Sequence, residues 1–142
     1  MSGSAGLADA RVQAFLAGKE VVVLATVGSD GAPRATPMWF VHAPDALFMI
    51  SVDDTQKVRD LRRDPRGAVV AEATTPAGAI SGVTVRGRVE FLPESAERRL
   101  LAARFLTKYH PRLERLWGGR AMPPDRVLFR IVPERLRSWG LP

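Results

Sequence analysis

The chain contains no cysteine, and that single absence removes a disulfide framework, a thiolate metal site and a cysteine nucleophile. Only two histidines occur, His42 and His110. They lie far apart and form no ligand pattern with Asp or Glu, so no metal site is expected. Pairing Ser51 with His42 as a hydrolase fails because the strand–turn–helix setting of a nucleophilic serine is missing. No apolar run approaches the ~18 residues of a membrane span, and the N-terminus has neither the basic start nor the apolar centre of a secretion signal. The expected location is therefore cytoplasmic, with no membrane partner. Internal repeats and low-complexity tracts are also missing.

What is present is ordinary in amount and informative in order. At 142 residues, with 46% hydrophobic and 25% charged side chains, the chain is one domain's worth, 1–142, with a mobile tail expected over residues 1–6. A net charge of +6 invites a nucleic-acid reading, because clustered Lys and Arg neutralise backbone phosphates. The charges are interleaved, however. Arg62, Arg63 and Arg66 alternate with Asp60 and Asp64, Arg98 and Arg99 stand beside Glu94 and Glu97, and Arg135 and Arg137 follow Glu134. Such patterns read as solvated faces with local pairing. No nucleic-acid partner is expected, and a basic nucleic-acid-binding barrel is only a distant alternative.

The periodicity predicts mostly strands. A first helix runs from Leu7 to Gly18, with Leu7, Val12, Phe15 and Leu16 near one face. Val21–Val27 is a β-branched run short enough for a buried strand. The turn Gly28-Ser29-Asp30-Gly31 then delivers the chain into Arg34–Val41 as a hairpin. A second hairpin follows through Ala43-Pro44-Asp45 to Leu47–Ser51. After a helix at Thr55–Arg63 come a strand at Ala68–Ala73 and another at Val83–Phe91, where Gly87 marks a bulge or a close backbone approach. A long helix opens at Pro93-Glu94-Ser95, with Leu100, Leu101, Phe105 and Leu106 as its apolar stripe, and breaks at His110-Pro111. A short helical piece at Arg112–Trp117 leads to two last strands, Val127–Val132 and Arg135–Trp139, around Pro133. Six or seven strands in hairpin order with few helices give a mainly β class, an antiparallel barrel with peripheral helices.

The chain is organised around Arg34-Ala35-Thr36-Pro37-Met38-Trp39-Phe40-Val41, the strand Leu47–Ser51, and Thr55-Gln56-Lys57-Val58-Arg59-Asp60-Leu61. A helix start exposes unpaired N–H groups and a partial positive charge, so Thr55 and Lys57 there can bind a phosphate, with Arg59 adding to the field. The competing reading is structural: Asp53 or Asp54 caps the helix, Gln56 completes a capping box with Asp53, and Lys57 points into water. Likewise, about half of Trp39, Phe40, Phe48 and Met49 are expected in the core, because strand residues alternate faces.

In their order and spacing, several segments are similar to the split-barrel family typified by pyridoxamine 5′-phosphate oxidase, in particular its branch that uses the deazaflavin coenzyme F420. These are Ala25-Thr26-Val27 followed by Asp30-Gly31-Ala32-Pro33, Thr36-Pro37-Met38-Trp39-Phe40, Thr55 through Pro65, the Gly87-centred strand and the terminal Trp139. The resemblance implies a six- to seven-stranded antiparallel split β-barrel of the FMN-binding type. It also implies a homodimer with cofactor sites at the subunit interface, and an oxidoreductase passing hydride between the cofactor and a small organic acceptor. Thr36, Pro37, Met38, Trp39, Ile50 and Ser51 would meet the ring. Lys57, beside Thr55 and Gln56 and with Arg59 near it, would take the phosphate, and Arg62 or Arg63 would line the groove mouth. No catalytic side chain is assigned. FMN-dependent oxidoreductases of this fold carry an arginine in the second strand, where this chain reads Met38-Trp39-Phe40. That departure favours F420 over FMN, which is the alternative cofactor. A carrier without turnover is the remaining alternative.

Overall fold

A computed structural model describes residues 6–142, in which seven strands and four helices are laid out as the hydrophobic patterning demands. The first helix, α1, covers Ala10–Ala17, with Asp9 accepting from Arg11 N–H at its start. Strand β1, Val21–Val27, pairs antiparallel with β2, Pro33–Trp39. The turn between them closes through Gly28 N–H to the Ala32 carbonyl at 2.8 Å and through a left-handed Gly31 at φ 82°, a conformation cheap only without a Cβ. The tail expected over 1–6 falls, for residues 1–5, outside the described residues; Gly6 is tied by its carbonyl to Asp9 N–H.

The run expected as one strand over Arg34–Val41 is two. Chain pairing stops after Trp39 and resumes in β3, Val41–Ala43, which turns back into β4, Ala46–Val52. The reason lies at Phe40. Its N–H donates to the hydroxyl of Tyr109 at 2.8 Å and its carbonyl accepts from Lys108 Nζ at 2.9 Å. Side chains thus satisfy the backbone groups that a strand partner would otherwise take.

Helix α2, Gln56–Arg63, ends before Asp64-Pro65, as expected from the clash of proline with a preceding helical residue. Strand β5, Arg66–Thr74, pairs with the long strand β6, Ile80–Phe91. Helix α3, Ala96–Lys108, is capped by Ser95 accepting from Arg98 N–H, and α4 covers Arg112–Trp117. In α3 the apolar stripe is Leu101, Phe105 and Leu106; Leu100, expected with them, is 70% exposed.

The two strands expected around Pro133 are one, β7, Arg126–Trp139. Arg86 opposes Arg135 while Gly87 opposes Pro133, so Glu134 is the extra residue of a bulge. A bulge is where a strand tolerates proline, which has no N–H to give. Gly87 is indispensable at the same place: a Cβ on it would stand 2.0 Å from the Val132 carbonyl oxygen.

The strand order is β2-β1-β5-β6-β7-β4-β3, every neighbour antiparallel, and the sheet curls until β2 at one end approaches β4 near the other. This is the split β-barrel. Inside the curl lies one core, with Leu24, Met38, Phe40, Met49, Val85 and Ile131 joined by Leu16 of α1 and Leu61 of α2. A second core, on the opposite face of β4, packs Phe48 and Leu128 under Phe105, Tyr109 and Trp117 of α3 and α4. Among the described residues no helix is long and apolar enough to cross a membrane.

Candidate functional site

Helix α2 leaves β4 through Asp53-Asp54, and Asp54 sits at a positive φ of 68°, which aspartate tolerates better than most side chains. The capping alternative does not hold. Thr55 is the N-cap residue, and its hydroxyl bonds to Ser51 Oγ at 3.2 Å instead of to the helix. Asp53 accepts from Asp54 N–H, and Gln56 Nε2 reaches forward to Asp60 Oδ1 at 2.9 Å rather than back to Asp53. The first-turn N–H groups of α2 are therefore not capped by a side chain, which is the state that suits an incoming anion.

Lys57 stands in this first turn, half-buried, with no hydrogen-bond or ion-pair partner among the described residues; burial pushes its pKa down. Arg59, expected beside it in the clamp, turns to Asp54, meeting its carboxylate at 2.8 Å, and also donates to Gln56 Oε1 at 3.1 Å. The side chains expected at the groove mouth are likewise engaged. Arg62 lies 4.2 Å from the Phe91 ring centroid and 3.5 Å from Asp53, and Arg63 bonds Asp60 and the Val27 carbonyl. The uncommitted cation at the helix start is Lys57.

Asp60 and Asp64 were expected on a solvated face, but the Asp60 side chain is fully buried. Gln56 and Arg63 bond its Oδ1, while Arg34 Nε of β2 stands 3.0 Å from its Oδ2 without hydrogen-bond alignment. Burial acts to raise its pKa, but the hydrogen bonds from Gln56 and Arg63 and the charges of Arg34 and Arg63 together outweigh it and hold the carboxyl below its usual range. The cluster locks α2 to the β1–β2 hairpin, and so fixes where the helix start points. Sequence reading missed it, although one signal was there: Asp60 stands between the apolar Val58 and Leu61, with Gln56 four residues before and Arg63 three after.

Strand alternation divides the remaining expected contacts. Met38 is 7% exposed, its side chain in the inner core. Trp39 faces the other way and stacks on Tyr109, centroids 4.4 Å apart and planes 8° from parallel. Ile50 packs with the outer core, whereas Ser51 is buried and bonded to Thr55. Thr36 is half-buried and Pro37 exposed on β2. Because β2 ends the sheet, its outer edge keeps backbone N–H and C=O groups without a strand partner among the described residues. Pro33 and Pro37 fit that edge role. A cavity of about 410 Å³ opens against the same hairpin, lined by Val27, Pro33, Arg66, Arg86 and Glu134 among others.

A family model described as pyridoxamine 5′-phosphate oxidase matches residues 8–140. The chain belongs to that family. Among solved structures, the conserved hypothetical protein Rv2991 of Mycobacterium tuberculosis is 28% identical, with a TM-score of 0.78 over 93% of this chain and 84% of that one. The heme storage protein HutZ of Vibrio cholerae gives 20% identity and a TM-score of 0.76, covering 92% of this chain and 93% of its own. An F420 reductase gives 24% identity and a TM-score of 0.62, covering 88% of this chain and 94% of that one. The split barrel built above is the fold these solved structures share.

Proposed function

We propose that this chain is an F420-binding oxidoreductase. The observation that carries the reading is the start of α2, where a half-buried, unpartnered Lys57 adjoins backbone N–H groups that no side chain caps. A single phosphodiester fits that donor set, since one ammonium and one helix start supply one positive clamp. A terminal phosphate dianion calls for a denser cluster, and Arg59, Arg62 and Arg63 are engaged elsewhere. The second strand adds no arginine at Met38-Trp39-Phe40.

When bound, the deazaflavin supplies a ring that passes hydride rather than single electrons. The protein's part is to bind, orient and keep out water. Lys57, with the backbone N–H groups of the α2 start and Thr55 and Gln56 beside it, would hold the phosphate, and Arg59 would strengthen the local field while staying on Asp54. Thr36, Pro37 and the backbone of Met38 and Trp39 on β2, with Ile50 and Ser51 at the end of β4, would meet the ring. No side chain of this set is assigned a proton transfer.

The working unit is proposed to be a homodimer. Residues 23, 25 and 27 of β1 face outward opposite Pro37, Ala35 and Pro33, and Val23 and Ala25 oppose Val70 and Ala68. That outer row is small and uncharged, a surface that a second copy can cover and that completes the barrel's open side.

Titration of the purified protein with F420 and with FMN, followed by steady-state reduction of an activated alkene, tests the assignment. Tight F420 binding with turnover is expected. Tight FMN binding with no F420 binding would overturn it in favour of an FMN-dependent enzyme of the same fold, and tight F420 binding without turnover would point to a carrier.

A further inference from the structure

Away from the α2 start, a groove of about 470 Å³ runs between α1, β3 and α3, a size within the range of about 300–1,000 Å³ typical of small-molecule sites. Its walls are mostly apolar, with Ala17, Val41, Leu100 and Ala103 among them, yet its charged lining is all of one sign. Lys108 is half-buried there with its Nζ on the Phe40 carbonyl and 3.7 Å from the Phe40 ring centroid. Arg104 donates to the His42 carbonyl at 2.8 Å. No carboxylate lines the groove.

The arrangement around His42 is fixed. Gln13 Nε2 donates to the carbonyls of Leu7 and Ala43, so its Oε1 faces His42 Nδ1, 2.8 Å away, and Nδ1 carries the proton. Burial first, then the charges of Lys108 and Arg104, push the His42 pKa down. Burial and Arg104 bring Lys108 to about 8, against an opposing pull from Glu20. Glu20 is itself paired with Arg112, so it does not neutralise the groove. Crowding like charges at partly desolvated positions is unfavourable unless an anion joins them.

We propose that this groove binds a small amphipathic carboxylate, its head held by Lys108 and Arg104 and its apolar body lying over Val41, Ala103 and the exposed Leu100. The site is separate from the α2 start and does not depend on the cofactor reading. A solvent-exposed leucine at the rim of a cationic groove is what such a ligand would cover.

The test is an NMR titration of the full chain, near neutral pH and without cofactor, with octanoate and with 1-octanol, following the His42 ring and Leu100 methyl signals. Octanoate is expected to give saturable shifts and to raise the His42 pKa, with octanol about tenfold weaker or more, a gap of about 1.4 kcal/mol. Lys108→Met should weaken octanoate at least about tenfold. Should that variant fail to fold, Thr107→Glu keeps the test alive: Thr107 is an exposed groove residue, and a glutamate there supplies a resident carboxylate and should abolish the octanoate shifts. Equal response to octanol, no saturation by about 10 mM, a concentration corresponding to a binding free energy of only about −2.7 kcal/mol, or octanoate binding unchanged in Thr107→Glu would each overturn the proposal.

Discussion

Arg34 Nε of β2 stands 3.0 Å from Oδ2 of Asp60, a carboxylate in α2 with no exposed surface. The pair crosses from the hairpin to the helix that carries Lys57, so the anchoring of the proposed phosphate clamp is electrostatic as well as apolar. Removing Asp60 strands Arg34 and Arg63 beside a hole, although both arginines keep partial access to water, which softens the loss. Asp60→Ala is expected to lower Tm by on the order of 10 °C and to weaken F420 binding through α2, as calorimetry and titration would show. An unchanged Tm would refute the anchoring role.

Lys57→Ala should leave Tm within experimental scatter, because the side chain has no partner to lose. It should weaken F420 binding roughly 10- to 150-fold, the equivalent of a charge-assisted bond of about 1.5–3 kcal/mol. Unchanged affinity in the folded variant would end the phosphate assignment.

Acid should destabilise the protein through its depressed carboxylates. The hydrogen bonds from Arg66 hold Asp64 down to about 2, and Asp60 is also lowered. Their contribution is fully present above the unfolded carboxylate range near 3.9 and is lost as pH falls through the folded values. Thermal melts followed downward from neutral pH should be flat until about pH 4 and then fall towards pH 2. Asp64→Asn should show a shallower fall.

Tyr109 is the one tyrosine of the chain, so absorbance at the tyrosinate band reports it alone. Burial pushes its pKa up to about 12. A raised acid of this kind contributes stability below the unfolded value near 10 and loses it as pH rises through the folded one. The folded protein should show no tyrosinate at a pH where the unfolded chain is half ionised. Tyr109→Phe leaves the buried Phe40 N–H unpaired and should cost about 1–3 kcal/mol.

A methyl group at Gly87 has nowhere to go, since the nearest atom is the backbone oxygen of Val132. Gly87→Ala should therefore cost about 3 kcal/mol or more in chemical denaturation, whereas Gly31→Ala is limited to the strain of its positive φ.

Much of this fold was legible because local patterns agree with it. The boundaries of β1 coincide with the β-branched run, the hairpin turns with Gly31 and Pro44, and the end of α2 with Asp64-Pro65. What could not be read depends on partners distant in the chain. Phe40 breaks a strand only because Tyr109 and Lys108, 69 and 68 residues later, capture its backbone. Pro133 looks like a strand end until Gly87 is seen opposite it. In the candidate site, the helix start and Lys57 were readable from spacing. The commitment of Arg59 to Asp54 and the burial of Asp60 were not, because charge patterning cannot tell a solvated pair from one locked under a hairpin.

The position of β7 in the sheet carries a consequence for how the molecule is made. Among the described residues it is the last strand in chain order, yet it lies between β6 and β4, and no other described strand pairs the β2-β1-β5-β6 half with the β4-β3 hairpin. The principal neighbour of β4 is thus a segment, Arg126–Ile131, that follows it by more than 70 residues. Until that segment is in place the β7-facing edge of β4 has unpaired backbone groups, the kind of strand edge that invites misassembly. Non-local pairing of this kind carries a larger loop-closure cost than the local hairpins β1–β2 and β3–β4.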